Sequence, residues 1–156
     1  MAKLTMTASR WDDLKALLAD EERLRIEYPT VAEYLDMAAR LAGTGDDQID
    51  GEFDLRFVHY VTGGSAVSSN PYWDIVEPCV HEHEGRRVVN GGRSQGSARL
   101  AFAQILLQET YAYAIPSPQT IEWMKEVCAD LPIVELGAGR GYWAAQLARS
   151  GATVEA

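Results

Sequence analysis

The chain has 156 residues, 47% of them hydrophobic and 24% charged, and carries a net charge of −9. That is enough chain to bury a core and too apolar for a disordered polypeptide. No run of about 18 apolar residues is present, so no membrane span is expected, and the acidity argues against a nucleic-acid-binding surface on this portion.

The acidity belongs to the first half. Residues 1–78 hold 7 Lys and Arg against 15 Asp and Glu, whereas residues 79–156 hold 7 against 8. Solvated helix faces explain such a bias; a partner-binding surface is the alternative. Residues 1–10 hold no apolar core of a secretion signal. Cys79 and Cys128 form no disulfide framework, so a cytoplasmic location is expected.

In chain order, Ser9-Arg10-Trp11-Asp12 has the form of a capping box, and Trp11, Leu14, Leu17, Leu18 and Leu24 recur at helical spacing. This predicts a helix over Arg10–Glu27, ended by Tyr28-Pro29. A second capping box, Thr30-Val31-Ala32-Glu33, opens a helix whose apolar stripe includes Val31, Tyr34, Leu35 and Ala38 and which ends near Gly43. Phe53, Leu55, Phe57, His59 and Val61 then fall on one face at a period of two, which predicts a strand over Phe53–Val61. Residues 62–97 are rich in Gly, Ser, Asn and Pro and read as loops. Short elements are expected around Tyr72–Val80 and Arg86–Val89, either of them a candidate strand of a small sheet. Ser97–Ala114 reads as helix, broken at Ile115-Pro116. Ser117 as N-cap with Pro118 in the first turn starts another helix, which ends near Asp130-Leu131-Pro132.

The last third carries the chemistry. Ile133-Val134-Glu135-Leu136 is a short apolar strand with an acid near its end. Gly137-Ala138-Gly139-Arg140-Gly141 is a glycine turn, Tyr142–Arg149 a helix stopped by Ser150-Gly151, and Thr153–Ala156 the start of a further strand. Strand, glycine turn, helix and strand form the opening unit of a doubly wound α/β sheet. Glycine suits this turn because it tolerates positive φ and lets a ligand approach the backbone. The helix start offers unpaired N–H groups and the positive end of a dipole. The phosphate loop Gly-x-x-x-x-Gly-Lys-Ser/Thr is absent. The dinucleotide fingerprint Gly-x-Gly-x-x-Gly fails because Tyr142 stands at its third glycine, which disfavours a nicotinamide-binding fragment.

The acid-x-Gly-x-Gly-x-Gly pattern of Glu135–Gly141 resembles motif I of the class I S-adenosylmethionine-dependent methyltransferases. Ala114-Ile-Pro-Ser-Pro-Gln-Thr-Ile-Glu-Trp123 through Val134–Trp143 is similar to a bacterial and phage methyltransferase-like group with an Ile-Pro-x-x-x-x-Ile approach helix. The resemblance covers residues 112–156 alone. It implies S-adenosylmethionine as cofactor, with Gly137, Ala138, Gly139 and Gly141 forming the turn beside its methionine part, Glu135 near its amino group, and Tyr142 and Trp143 at the start of the helix, either bordering the pocket or packing beneath the sheet.

In such a family an acid ending the second strand holds the ribose. Here that position falls beyond Ala156, while Glu155 lies inside the strand and out of register. The later strands, with the adenine contacts and most catalytic groups, lie outside this sequence, so no catalytic residue is assigned. The resulting expectation is an α+β, mostly helical fold. A helical region with a loop-rich middle spans residues 1–111, and residues 112–156 form an incomplete, Rossmann-like β-α-β start of a methyltransferase domain. As a function this predicts the N-terminal portion of a class I methyltransferase, inactive as the isolated 156-residue chain and binding S-adenosylmethionine weakly or not at all. The alternative is a naturally truncated methyltransferase-derived protein, such as a phage factor, that acts by binding a host protein. An open edge on the first strand of this unit points to a protein partner or homo-oligomer.

Weaker constellations are Cys79-Val80-His81-Glu82-His83, whose side chains suit a metal but fall short of a closed ligand set, and Arg86, Arg87, Arg93 and Arg99. The arginines suit an anionic substrate or, in preference, the acidic first half. No metal is expected. Tyr111, Tyr113 and Trp123 lie on helices before the motif, and core packing is the preferred role for them and for Trp143.

Overall fold

The computed structural model describes residues 3–89 and 97–155. Helix makes up 62% of it, with a few short strands, which sets the class as α+β and mostly helical. Two compact units divide the chain, Met1–Leu106 and Leu107–Ala156. Among the described residues no helix is long and apolar enough to cross a membrane.

In the first unit, α1 (Ala8–Ala19) is capped by Thr7, whose hydroxyl accepts from the Arg10 N–H at 3.2 Å, so the box at Ser9 lies inside the helix. The single helix expected over Arg10–Glu27 is in fact two. Asp20 leaves the helical region (φ −109°, ψ 84°), and its carboxylate caps α2 (Glu21–Glu27) by accepting from the Arg23 N–H at 3.0 Å. A short acidic side chain competes for backbone donors and so favours a cap over a helix interior. Leu14, Leu17 and Leu24 are buried, whereas Trp11 and Leu18 lie on the outer side, Trp11 with the Lys15 ammonium 5.3 Å from its ring centroid.

Pro29 rather than Thr30 starts α3 (Pro29–Ala38), where its missing N–H costs nothing. The helix stops at Ala38, short of Gly43. The turn after it instead closes on Asp50, whose carboxylate accepts from the backbone N–H and hydroxyl of Thr44, each at 3.0 Å. A Cβ on Gly43 would lie 1.9 Å from Asp50 Oδ2, so any larger residue there displaces the carboxylate that holds Thr44.

Phe53–Val61 is not a strand. It lies within α4 (Asp47–Gly63), capped by Asp46, whose carboxylate accepts from Gln48 N at 2.9 Å and Ile49 N at 3.2 Å. The alternation conceals a helical repeat: Phe53 and Phe57, four residues apart, share the buried face, while Leu55 does not. Tyr34 stacks on Phe57 with centroids 4.0 Å apart and meets Phe53 edge-on at 6.2 Å. Its hydroxyl donates to Asp54 Oδ1. Arg99, from α6 (Ala98–Thr110), donates to Asp54 Oδ2 at 3.2 Å and to the Ala38 carbonyl at 3.1 Å. Burial raises the Asp54 carboxyl above its ordinary range against the pull of Tyr34 and Arg99. Arg99 is thus one arginine of the basic cluster that meets the acidic first half.

Asn70 caps α5 (Pro71–Val76), so the first of the two short elements expected after residue 62 is a helix and 3-10 turn up to Cys79. Strands β1 (Val80–His83) and β2 (Arg86–Val89) pair antiparallel with Val80 opposite Val89 and His83 opposite Arg86. Glu84 (φ 51°) and Gly85 (φ 72°) make a two-residue turn of the hand that matches strand twist. Arg93 and the Asn90–Ser94 segment lie outside the described residues. Ser97 Oγ accepts from Leu100 N at 3.3 Å, and α6 ends at Thr110 rather than running to Ala114.

Two predictions concern this unit. Phe57 is fully buried and stacked on Tyr34, so Phe57→Ala is expected to lower the unfolding free energy in urea by about 3–5 kcal/mol. His59 Nδ1 accepts from Arg10 Nε at 3.2 Å, which fixes a neutral ring. Burial, then the Arg10 and Arg56 charges, lower its pKa from 6.5. The unfolded chain therefore takes up this proton first. Its contribution is complete above pH 6.5 and is lost as the pH falls from there toward the lower folded value. Urea unfolding of His59→Asn, which keeps an acceptor, is expected to show a flatter stability profile over that window than the parent chain.

Candidate functional site

The second unit begins with the end of α6 and continues into α7 (Pro118–Cys128). Ser117 caps α7 by accepting from the Thr120 N–H at 3.1 Å, and Pro118 fills its first position. Strand β3 (Ile133–Val134) comes next, then the glycine turn, α8 (Tyr142–Arg149) and β4 (Val154–Glu155). The strands run parallel: Ile133 N donates to Thr153 O at 2.8 Å and Glu135 N to Glu155 O at 2.9 Å. Leu147 on α8 is buried, and Gly151 (φ 95°) ends that helix.

Three glycines make the turn, at φ 74° for Gly137, 56° for Gly139 and 71° for Gly141. All three lie in the left-handed region that costs an ordinary L-residue roughly 1–2 kcal/mol. No atom comes within 4 Å of a Cβ built on any of them, so backbone conformation, rather than crowding, selects glycine here. Gly141 N donates to Ala138 O at 2.7 Å and closes the turn, and Gly141 stands as the N-cap of α8. It offers no side-chain cap; Glu135 Oε2 does that work from the end of β3, accepting from Ala144 N at 2.9 Å.

A cavity of about 360 Å³ lies beside the turn. Of the residues expected at a cofactor site, Glu135, Gly137, Ala138 and Gly139 line it. Gly141 and Tyr142 are not among its walls. Tyr142 instead packs on Tyr111, with centroids 5.1 Å apart and planes at 50°.

The opposite wall comes from the segment after α6, chiefly Tyr111, Tyr113 and Ala114, with Trp143 closing one side. Trp143 is half-buried rather than core, and its Nε1 donates to the Ala114 carbonyl at 2.9 Å. Burial and then Tyr142 raise the Tyr111 phenol above its ordinary range, so it stays neutral. Trp123 is 60% exposed and takes no part. The tyrosines of this wall stand just beyond a helix end that the sequence pattern places too late, which hides their placement.

Chemically, the turn and the first turn of α8 suit an anionic group, and Glu135 beside them suits a cationic one. A zwitterion, such as an amino-acid end, satisfies both. Cys79 is buried, and burial raises its thiol to about 11, so it is no nucleophile at neutral pH. Among the described residues no three His, Cys, Asp or Glu side chains converge to hold a metal ion. Comparison of the chain with models of protein families, with curated proteins and with solved structures finds no match.

Gly139→Ala places a Cβ on a backbone at φ 56°. It is expected to cost about 1–2 kcal/mol of unfolding free energy through strain alone, measured by urea titration of the unit's tryptophan fluorescence.

Proposed function

We propose that the second unit is the motif I region of a class I S-adenosylmethionine-dependent methyltransferase and that the cavity at the glycine turn receives the methionine end of the cofactor. The observation that carries this reading is the turn itself. Gly137, Gly139 and Gly141 are all left-handed, and they stand between a strand and a helix tied together by the Glu135 carboxylate. The open space where each Cβ would lie leaves the turn's backbone accessible to a ligand. A Rossmann-like β-α-β start accounts for the parallel pairing of β3 and β4 with α8 between them in sequence.

When bound, the cofactor supplies an electrophilic methyl group on a sulfonium. The chain's own residues bind and orient. The part of the turn that lines the cavity, Gly137–Arg140, holds a carboxylate. Glu135 is spatially next to it and complements an ammonium. Positioning and electrostatics are the main levers for a methyl transfer of this kind. No residue here is assigned a proton-transfer step.

Glu155 lies in β4, opposite Val134 in the register, and does not serve as the ribose ligand in this reading. The 156-residue chain is therefore expected to hold one end of the cofactor only.

A second reading is favoured by β3. Among the described residues no strand pairs with its edge away from β4, and Val134 is 59% and Leu136 91% exposed, which suits a protein partner adding a strand. In that reading the chain acts by binding, and the glycine turn is only a connection.

Amide nuclear magnetic resonance of the chain titrated with S-adenosylmethionine separates the two. The methyltransferase reading expects shifts centred on Glu135–Gly141, a dissociation constant on the order of 1 mM and no methyl transfer by the chain alone. An unresponsive turn at saturating cofactor rejects it in favour of the binding protein. Micromolar binding in calorimetry overturns the expectation of a partial site.

A further inference from the structure

The cavity has two walls of different kinds. The glycine turn presents backbone, and residues 111–114 present aromatic rings. Trp143 is the point at which the two are joined. It sits on the first turn of α8, one residue from Ala144, whose N–H is held by Glu135. Its indole N–H reaches across 2.9 Å to the Ala114 carbonyl. The next residue back, Tyr142, packs against Tyr111 at 5.1 Å. Two adjacent residues of α8 thus grip both ends of the segment that carries Tyr113, which is itself 85% exposed. Trp143 also borders a second, mostly apolar cavity with Met124, Ile133, Val134, Glu135 and Leu147, so its ring, with Glu135, stands between two cavities as well as acting as a tether.

We propose that Trp143 is a positioning residue for the ligand site. Through the hydrogen bond to Ala114, it holds Tyr111 and Tyr113 over the glycine turn, so that a ligand seated on the turn is covered by an aromatic wall. This rests on the reading of the turn as a cofactor site. A cationic ligand gains from such a wall, because ring faces attract positive charge. A sulfonium meets that description, and a neutral or anionic analogue does not. Trp143 touches no reacting atom in this role; it acts through the segment it holds.

The test uses the full 156-residue chain, S-adenosylmethionine as probe and two sets of resonances, the Gly137 and Gly139 amides and the Tyr111 and Tyr113 rings. In the parent chain both sets are expected to move with one midpoint. In Trp143→Phe the glycine amides still respond, the tyrosine rings no longer do, and the midpoint rises about fivefold to tenfold, as loss of one hydrogen bond allows. Trp123→Phe serves as control and leaves the titration unchanged. If Trp143→Phe does not fold, replacement of Trp143 by benzothienylalanine keeps the ring shape and removes only the N–H.

A titration of the variant identical to the parent's overturns the proposal. So does loss of both responses together in a folded variant, since that marks Trp143 as general support for the unit. Failure of the underlying reading looks different: the parent chain's own glycine amides do not respond, and the proposal falls with it.

Discussion

The Glu135 carboxylate and the Ala144 N–H, 2.9 Å apart, are the contact on which the second unit depends. A helix start needs acceptors for its first N–H groups. Gly141, as the N-cap, has no side chain to supply one. Glu135 supplies it from nine positions earlier, and in doing so fixes where the strand ends, how the five-residue turn folds and which way α8 leaves it. The parallel pairing with β4 and the burial of Leu147 depend on that direction. A side-chain acceptor at this position is therefore favoured by backbone physics even before any ligand is considered. Only one of its oxygens is committed to Ala144, which leaves the carboxylate a second face for chemistry.

The first unit is organised differently, around polar groups on α4. Asp50 takes the N–H and hydroxyl of Thr44, and Arg56 reaches Glu52 and the Asp74 carbonyl. Arg10 reaches His59 and Thr62. The Arg56–Glu52 pair lies within α4, whereas Thr44, Asp74 and Arg10 belong to three other segments, so the helix works as a spine. Buried polar groups cost free energy unless paired, and Asp50, Arg56, His59 and Thr62 each have a partner. The aromatic stack of Tyr34 with Phe53 and Phe57 supplies the apolar part of the same junction.

These two organisations explain what is legible in the sequence. The glycine turn, α8 and the Ser117 cap of α7 are local features, encoded within a few residues, and all three stand where the spacing places them. The α4 segment misleads because its buried face mixes Phe53 and Phe57 with Arg56 and His59, so hydrophobicity alone shows the wrong period. Asp46, its cap, is the stronger signal. The break at Asp20 is also written in the sequence, as an acid able to cap the next helix, but a continuous leucine stripe outweighs it. Half of the cavity is legible. The turn announces itself, whereas Tyr111 and Tyr113 gain their places through the Trp143–Ala114 contact, which joins residues 29 positions apart. Long-range hydrogen bonds of that kind leave no periodic trace.

The left-handed turn has a consequence for inheritance. Gly137, Gly139 and Gly141 sit in a region of backbone space that is costly for ordinary L-residues. Glycine is the one achiral residue the genetic code provides. Any single-base change at these codons that alters the amino acid must introduce a chiral centre of the wrong hand for the turn. Each such change sets a strained residue into the turn, so wherever this strand-to-helix connection is under selection, the strain falls on three codons within a stretch of five.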